Sequence, residues 1–287
     1  MPRLSETETR DLFLAACRAE IAALKPGNVH VHAGGHGMEV RQFEEAAAAA
    51  APWIADSDLR IGARIRHAVD ASLAAAGCNT NLGILLLTAP LAAAAQSGDN
   101  GTLRDSLATV LAALDAKDTA DVYAAIRRAN PGGLDVATDQ DVSAAPTVGL
   151  LTAMALAAHR DRIASAYVSN FVEVFDFGLP TLDRVRPLAD DFNLMVTTLH
   201  MAYLAALPDS HIARKFCTEV AEQVRKEALL HKRLWAPVAT PRSFSELLAF
   251  DTDLKQRNLN PGTTADLVVA TLFAASIRDR MALSSLA

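Results

Sequence analysis

The chain has 287 residues, of which 51% are hydrophobic and only 5% aromatic, and its formal net charge is −6. The acidic balance argues against general nucleic-acid binding, which normally needs a basic face. A core built mainly from Ala, Leu, Val and Ile favours closely packed helices, and alternating β-branched stretches are nearly absent. We therefore expect an all-α fold, a single compact multi-helix globular domain over residues 1–287, with ligand loops at helix N-termini.

Helix starts are well marked along the sequence. Capping-box patterns, in which a Ser or Thr is followed three residues later by an acid, begin at Ser5, Thr102 and Ser243. Together with hydrophobic periodicity they predict helices in chain order near 5–24, 39–51, 60–76, 80–97, 103–115, 118–129, 146–159, 162–177, 188–206, 210–232, 243–255 and 263–283.

Targeting and redox signals are weak. The first residues are acidic and lack the apolar core of a signal peptide. The apolar run at 82–95 is shorter than the roughly 20 residues of a membrane span, so it predicts a buried helix. Cys17, Cys78 and Cys217 lack metal spacing and are interpreted as reduced thiols. We expect a cytoplasmic protein with no membrane segment. The Ala-rich face at 45–51 fits either the core or a homodimer seam.

Four short loops rich in Gly or Asn lie beside predicted helices, at 25–28, 77–83, 130–135 and 258–266. Backbone N–H groups at the start of a helix have no intrahelical partner and form a ready anion site. The repetition of such loops predicts a pocket for a ligand that carries several phosphates. A helix N-terminus gives an anion only about 0.3–1 kcal/mol, so nearby cations must supply most of the affinity.

The first loop follows a helix that Pro26 ends, and Gly27 permits a sharp turn there. Lys25 fits an ordinary helix exit, where a cation is favourable. Glu20, however, places an acid in the last turns of the helix, against the dipole. Pairing with Lys25, a metal or solvation would each offset that cost. We predict that Lys25, Gly27 and Asn28 contact substrate phosphate.

Three histidines, His30, His32 and His36, cluster in the residues that follow. They could bind zinc, but no helix fixes their spacing and no carboxylate completes a known pattern. A solvated histidine loop is the favoured interpretation. His36 is retained as a candidate for hydrogen bonding to phosphate or for proton transfer.

The second loop carries Asn79, Thr80 and Asn81 before the most apolar helix of the chain. One of them could serve as a helix cap. Three polar side chains are more than one cap requires, and their surplus groups are costly to bury without a partner. We predict that Asn79, Thr80 and Asn81 contact the ligand.

The central loop contains Asp135, Asp139 and Asp141, with no matching cations nearby in sequence. Clustered carboxylates suit Mg²⁺, which prefers oxygen ligands and often bridges to substrate phosphates. The alternative is a solvated acidic loop. We choose Asp135, beside the Gly-Gly pair at 132–133, as the candidate metal ligand.

Two later segments complete the set of candidates. Asp209 is predicted as a helix N-cap, followed by Arg214 and Lys215 one turn inside, where cations oppose the dipole unless an anion is present. The tight turn at 260–262 before a new helix predicts a second phosphate cradle that includes Asn260, Gly262, Thr263 and Thr264. The nearby pairs Asp251–Lys255 and Asp253–Arg257 are interpreted as a solvated helix face.

Taken together, these segments resemble the triphosphoribosyl-dephospho-CoA synthase family. The matching pieces occur in the family's order and span nearly the whole chain. They are Glu20-x4-Lys25-Pro26-Gly27-Asn28, Gly77-Cys78-Asn79-Thr80-Asn81-Leu82-Gly83, Asp209-Ser210-x3-Arg214-Lys215 and Asn260-Pro261-Gly262-Thr263-Thr264-Ala265-Asp266-Leu267. Any one of these motifs is weak, and the four in order are specific.

The resemblance implies an all-helical transferase that uses ATP and 3′-dephospho-CoA. Such enzymes release adenine and join C1′ of the triphosphoribosyl unit to a ribose 2′-hydroxyl. The product is the precursor of the prosthetic group of citrate lyase or malonate decarboxylase acyl carrier proteins. Under this hypothesis Glu20 and Asp266 are the catalytic carboxylates, and Asp135 and Asp209 bind Mg²⁺.

Some features depart from the family pattern. Cys217 stands where a glycine is usual, and the order at 36–39 is His-Gly-Met-Glu. The motifs at 209–215 and 260–264 are similar to those of a divergent branch in archaea and methylotrophic bacteria. Part of that branch is associated with methanopterin-type one-carbon carriers, so a different acceptor is one alternative. A noncatalytic nucleotide- or CoA-binding protein is the other.

Overall fold

The computed structural model describes residues 3–98, 101–132 and 142–284, and the regular secondary structure in those ranges is helical. This result confirms the all-α prediction. The α-helices are α1 (Glu6–Ala22), α2 (Val40–Ala55), α3 (Ile61–Ala76), α4 (Leu82–Gln96), α5 (Leu103–Ala112), α6 (Ala116–Ala129), α7 (Leu150–Ala157), α8 (Arg162–Val168), α9 (Leu179–Val185), α10 (Phe192–Ala206), α11 (Ser210–Lys215), α12 (Thr218–Leu230), α13 (Lys232–Trp235), α14 (Phe244–Gln256) and α15 (Gly262–Ser284).

Two helices form the centre of the molecule. Residues 84–92 of α4 and 267–275 of α15 are all buried, as expected of helices that are apolar on every side. The two helices pack against each other; α1 and α10 cover α15, and α2, α3 and α5 cover α4. The run at 82–95 is therefore a buried helix, as predicted. None of the helices in the described ranges is long and apolar enough to cross a bilayer.

The capping patterns predict two of three helix starts correctly. Ser5 and Thr102 each accept a backbone hydrogen bond from the acid three residues later, and that acid bonds back to the cap. The third pattern is wrong in register. The capping box lies one turn earlier, between Thr240 and Ser243, and it opens a short 3-10 turn before α14.

Two predicted helices are interrupted. The helix predicted at 162–177 ends at Val168, because Asn170 and Phe171 adopt positive φ values of 52° and 55°. A π-helical segment, Glu173–Gly178, then leads into α9. The helix predicted at 210–232 breaks between α11 and α12 at residues 216–217. Hydrophobic periodicity continues across both breaks, so it could not reveal them.

The buried side chains form two hydrophobic clusters. The larger one surrounds α4 and α15, and the smaller one joins the end of α10 to α12, α13 and α14. Ala23 belongs to the larger cluster and Leu24 to the smaller one, so the loop after α1 begins where the clusters meet. Within the Ala-rich face at 45–51, Ala46, Ala47 and residues 50–51 are buried in this chain, while the homodimer stays a prediction.

Candidate active site

The loop after α1 contains a lysine whose side chain is completely buried. Lys25 pairs with Glu20 in the last turns of α1 and donates to Asn28 Oδ1 over 3.0 Å. Burial raises the pKa of Glu20 and lowers the pKa of Lys25, and the attraction between them opposes both shifts. The sequence predicts that Lys25 contacts phosphate, but its ammonium already has two protein partners. These contacts hold the loop in place.

The same loop is locked against the segment that leads into α15. Asn28 Nδ2 donates to Asn260 Oδ1 over 2.8 Å, although the two residues are 232 positions apart. Gly27 has a φ of +86°, and a Cβ atom there would lie 2.7 Å from Pro261 Cδ. Only glycine combines this backbone conformation with such a close approach. The amides of Asn28 and Asn260 thus join two of the predicted ligand loops directly.

Asp251 in α14 anchors the loop from its other side. Its carboxylate accepts from the Gly27 backbone N–H over 2.8 Å, from His30 Nε2 over 3.3 Å and from Lys255 Nζ over 3.0 Å. Burial acts to raise the pKa of Asp251, but His30 and Lys255 lower it overall. The prediction of a solvated Asp251–Lys255 pair is wrong, because the Asp251 side chain is only 1% exposed. Helix α14 turns this face towards the loop.

The three histidines have different environments. His30 is fully buried, and it accepts from the His32 backbone N–H at Nδ1, which leaves Nε2 to donate to Asp251. His36 Nε2 lies 2.8 Å from the Gly27 carbonyl, where it donates. The interpretation as a solvated loop therefore holds for His32 alone. Burial lowers the pKa of both His30 and His36.

The loop before α4 combines capping with one unsatisfied group. Asn79 Oδ1 accepts from the Leu82 backbone N–H over 3.2 Å, and Asn81 Nδ2 donates to Ser72 Oγ over 3.1 Å. Thr80 Oγ1 is buried and forms no hydrogen bond within the described part of the chain. An unpaired buried hydroxyl costs about 1–3 kcal/mol. Of the three, Thr80 fits the predicted ligand contact best.

Asp266 in the first turns of α15 is the least satisfied acid of the site. A Cβ atom at Gly83 would lie 2.0 Å from Asp266 Oδ2, so this carboxylate rests directly against the start of α4. No hydrogen bond or ion pair joins the Asp266 side chain to another described residue. Although part of Asp266 is accessible, desolvation raises its pKa well above the usual range. The charges of Asp209 and Glu20 add to that shift, and Arg214 opposes it.

Asp209 fixes α11 against α15. Its Oδ1 accepts from the Ile212 backbone N–H over 3.0 Å, which confirms the predicted N-cap. Its Oδ2 accepts from Thr264, from the backbone N–H over 2.7 Å and from Oγ1 over 2.9 Å. Ser210 Oγ donates to Thr263 Oγ1 over 3.0 Å. Both oxygens of Asp209 thus have protein donors, and its role as a metal ligand stays a prediction.

The cations of α11 lie on the accessible side of the site. Arg214 pairs with Asp161 over 2.8 Å and donates from Nε to the Gly132 carbonyl over 3.2 Å. Lys215 is exposed, and none of the described carboxylates pairs with it. Burial, together with the charges of Arg214 and Lys215, lowers the pKa of His211 to about 4. This end of α11 therefore carries positive charge that faces solvent.

Sequence reasoning missed two contributors besides Asp251. Asp161 caps α8 by accepting from the backbone N–H groups of residues 163 and 164, in addition to binding Arg214. Its position before an apolar run is a capping signal that could have identified it. His200 is fully buried in α10 and donates from Nε2 to the Pro26 carbonyl over 3.3 Å. Burial lowers the pKa of His200 to about 3. No sequence signal marks His200.

The described residues give little support for a metal site. Asp135 lies outside the described residues, as do Asp139 and Asp141. Within the described ranges, no three His, Cys, Asp or Glu side chains group in a way that could hold a metal ion. The Mg²⁺ prediction stays a prediction.

A cleft of about 380 Å³ opens between α1 and α2 and reaches the site. Glu20 and Asn81 form part of its wall, so it adjoins both the buried Glu20–Lys25 pair and the start of α4. Most of the remaining wall is apolar, with charged side chains among it. It includes Leu14, Cys17, Arg18, Ile21, Phe43, Glu44, Glu45, Ala47, Ala48 and Ile84.

The sequence matches a family model and a curated protein. A family model described as ATP:dephospho-CoA triphosphoribosyl transferase matches residues 6–285. The curated 2-(5''-triphosphoribosyl)-3'-dephosphocoenzyme-A synthase of Escherichia fergusonii is 32% identical over 106 residues, which are 37% of this chain and 34% of that protein. The match thus spans about a third of the curated relative.

A solved structure extends the likeness to the fold. The crystal structure of a proposed triphosphoribosyl-dephospho-CoA synthase from Archaeoglobus fulgidus superposes with a TM-score of 0.63 and 25% sequence identity. The superposition covers 81% of this chain and 97% of that chain. Because the family model also spans nearly the whole sequence, this chain belongs to the ATP:dephospho-CoA triphosphoribosyl transferase family.

Proposed function

We propose that this chain transfers the triphosphoribosyl group of ATP to a hydroxyl group of 3′-dephospho-CoA and releases adenine. Family membership supports the reaction class. The observation that carries the proposal is Asp266, a desolvated carboxylate with no hydrogen bond or ion pair to the described residues, placed directly against the start of α4. Unpaired buried acids are costly, and carboxyl groups with strongly shifted pKa values cluster at functional sites.

The reaction needs a base and a stabiliser of positive charge. The acceptor oxygen forms a bond to C1′ of the ATP ribose as the C1′–N9 bond breaks. The bonding electrons leave with adenine, which gains a proton, and the acceptor hydroxyl loses its proton. Asp266 takes that proton, because its raised pKa makes it a stronger base than an ordinary aspartate. Its charge also stabilises the developing oxocarbenium character at C1′.

Glu20 has a different part in this proposal. The sequence assigns it a catalytic role beside Asp266, yet its charge is balanced by the buried Lys25. The Lys25 ammonium occupies one carboxylate oxygen of Glu20, so this side chain is less available to a substrate than Asp266, although burial raises its pKa too. We therefore assign Glu20 to positioning: it fixes Lys25 and the loop, and it forms one wall of the cleft.

The triphosphate would bind at the C-terminal end of α11, where the cationic side chains of Arg214 and Lys215 lie. Lys215 is exposed and pairs with none of the described carboxylates, and the charges of Lys215 and Arg214 are close enough to lower the pKa of His211. Each charge-assisted hydrogen bond contributes about 1.5–3 kcal/mol, more than a helix N-terminus alone. In the first turn of α15 the N–H groups of Gly262 and Thr264 already donate to the Asn260 carbonyl and to Asp209, so the second phosphate cradle stays a prediction.

Mg²⁺ could bind this site through a single protein carboxylate. It commonly binds through one or two carboxylates together with phosphate oxygens and water. Among the described residues, Asp266 offers a carboxylate without a protein partner, so most ligands of such an ion would come from the phosphates and water. When bound, the ion would neutralise phosphate charge. No step above depends on it.

Incubation with ATP, MgCl₂ and 3′-dephospho-CoA, followed by chromatography, tests the proposal. We expect free adenine in amounts equal to the triphosphoribosyl product. The formation of ADP or AMP instead would show cleavage within the phosphate chain and overturn the proposal. Adenine release that requires another acceptor would retain the ATP chemistry and identify the one-carbon-carrier alternative. Binding without any turnover would favour the noncatalytic alternative.

A further inference from the structure

The cleft between α1 and α2 is unsuited to a polyphosphate. Its wall includes three carboxylates, Glu20, Glu44 and Glu45, against the single cation Arg18. Glu20 is neutralised by Lys25, and Glu45 pairs with Arg41 over 2.9 Å. The net result is a nearly neutral, mainly apolar space with carboxylate acceptors at its edge. The cations that suit phosphates lie instead at the end of α11.

The cleft lies next to Asp266, which restricts the neutral group that it can hold. Asn81 lines the cleft and is two residues before Gly83, against which Asp266 rests. Glu20 lines the cleft too, and its charge raises the pKa of Asp266. The space therefore opens beside the proposed reacting centre. A group bonded directly to the reacting ribose would extend into it while the phosphates extend towards Lys215.

We propose that this cleft binds an adenine base, with Phe43 against the ring and the carboxylates at the rim as acceptors for its amino group. This inference rests on the proposed function, because it takes the purine from the substrates named there. The volume of about 380 Å³ lies in the range of small-molecule pockets, about 300–1,000 Å³, and a mainly apolar lining with a few polar groups is usual for them. Aromatic rings stack well on bases.

Two substitutions on α2 test the cleft without altering the residues assigned to chemistry. Ala48 is exposed at its wall, so Ala48→Leu places a larger side chain in the space. Phe43→Leu keeps an apolar side chain but removes the ring. The matched control is Ala74→Leu, the same change at an exposed site of α3 that does not line the cleft. Calorimetric titration would measure binding of ATP, 3′-dephospho-CoA, pantetheine 4′-phosphate and inorganic triphosphate.

We expect both α2 variants to weaken nucleotide binding about tenfold or more, because Phe43→Leu removes the ring on which the base stacks and Ala48→Leu fills part of the space. Ala74→Leu should bind as the unmodified protein does, and inorganic triphosphate should be unaffected throughout. Loss of ATP binding would place the leaving base in the cleft, and loss of dephospho-CoA binding alone would place the acceptor's base there. Unchanged nucleotide binding, or an equal loss for pantetheine 4′-phosphate, would overturn the inference.

The two proposals fail in different ways. If the unmodified protein releases adenine and the α2 variants bind nucleotide normally, the base site is wrong and the reaction stands. If nucleotide binding depends on Phe43 and Ala48 but no adenine appears, the reaction is wrong and the base site stands. Thermal unfolding of each variant without ligand separates a binding defect from a folding defect.

Discussion

Two aspartates of the site respond to burial in opposite ways. Asp251 accepts hydrogen bonds from three groups, and their donation and charge hold its pKa below the usual range despite desolvation. Asp266 has no comparable donors among the residues that the structure describes, and desolvation raises its pKa well above that range. Donors favour the ionised form, whereas burial alone favours the neutral form. The same residue type is therefore a structural anchor at one position and a candidate base at the other.

Asp266→Asn should stabilise the fold and lower turnover strongly. In the unmodified protein the folded carboxyl keeps its proton at a pH where the unfolded one has lost it, so stability falls as the pH rises above about 4. The amide does not ionise, so the variant should gain about 1 kcal/mol or more near neutral pH. That corresponds to roughly 2–4 °C in melting temperature per kcal/mol. Adenine release should fall about 10²- to 10⁴-fold.

Thermal unfolding at pH 4 and pH 7.5, combined with an adenine assay, measures both effects. The stability advantage should be present at pH 7.5 and shrink at pH 4. In the unmodified protein, kcat/KM should rise with pH through the raised pKa of Asp266. Unchanged turnover in the variant would remove Asp266 from the catalytic assignment.

The stability contribution that Asp251→Asn removes should depend on pH in the opposite sense from that of Asp266. The lowered pKa of folded Asp251 means that its carboxylate stabilises the protein above about pH 4, and this contribution is lost as the pH falls through the folded pKa. Breaking a buried ion pair costs about 3–5 kcal/mol. The control is Asp253→Asn on the same helix, where the ion pair with Arg257 is exposed and worth about 0–1 kcal/mol. Urea unfolding at pH 7 and pH 4 compares them, and equal losses would contradict the anchor role.

At the scale of elements, the site depends on how closely α4 approaches α15. Gly83 has no side chain, so the Asp266 carboxylate and Ile163 Cδ1 can occupy the space where a Cβ would lie. A Cβ there would come within 2.0 Å of Asp266 Oδ2 and 2.6 Å of Ile163 Cδ1. Both distances are far below van der Waals contact. The glycine thus sets the position of the catalytic candidate relative to the second loop.

Gly83→Ala should displace Asp266 and lower turnover strongly. Overpacking of this kind typically costs about 1–3 kcal/mol of stability. Gly149→Ala is the matched control, because nothing lies within 4 Å of the Cβ it would add. The measurements are the urea midpoint and the rate of adenine release. Full activity in Gly83→Ala would show that Asp266 tolerates displacement and would weaken its assignment as the base.

Local chemistry explains which elements could be predicted. Ser5 and Thr102 cap their helices through groups three residues away, so the signal lies within a short stretch. The break at Asn170 and Phe171 depends on backbone angles that hydrophobic spacing does not encode. Phe171 is fully buried, so tertiary packing holds a conformation that a bulky residue seldom adopts.

At the scale of the whole molecule, the loop after α1 begins at the junction of two hydrophobic clusters. Ala23 packs in one cluster and Leu24 in the other, and the loop is contacted by α14 and by the segment that leads into α15. The sequence predicts ligand groups in four loops, and two of these loops, at 25–28 and 258–266, are in direct contact. It could not predict that Asn28 pairs with Asn260, because no local pattern encodes a contact across 232 positions. The same limit explains why Asp251 was interpreted as solvated.

Ligand binding at this junction should stabilise the whole fold. A ligand that binds only the folded state adds about 2.7 kcal/mol at a concentration of 100 times its Kd. We expect ATP with MgCl₂ to raise the melting temperature in a concentration-dependent manner, and inorganic triphosphate to give a smaller rise. Differential scanning calorimetry over a series of ATP concentrations measures this. A melting temperature independent of ATP would contradict a nucleotide site here.

The contact between the first loop and α14 also has a consequence for biosynthesis. Gly27 bonds to Asp251 and Asn28 bonds to Asn260. Both partners are synthesised much later, so neither exists when the N-terminal helices leave the ribosome. Domains generally fold as units, and here the reacting centre depends on α14 and α15, which are synthesised late. A chain released just before α14 would contain α1 to α13 and keep the loop contacts made by Glu20 and His200, but it would lack the anchors at Asp251 and Asn260.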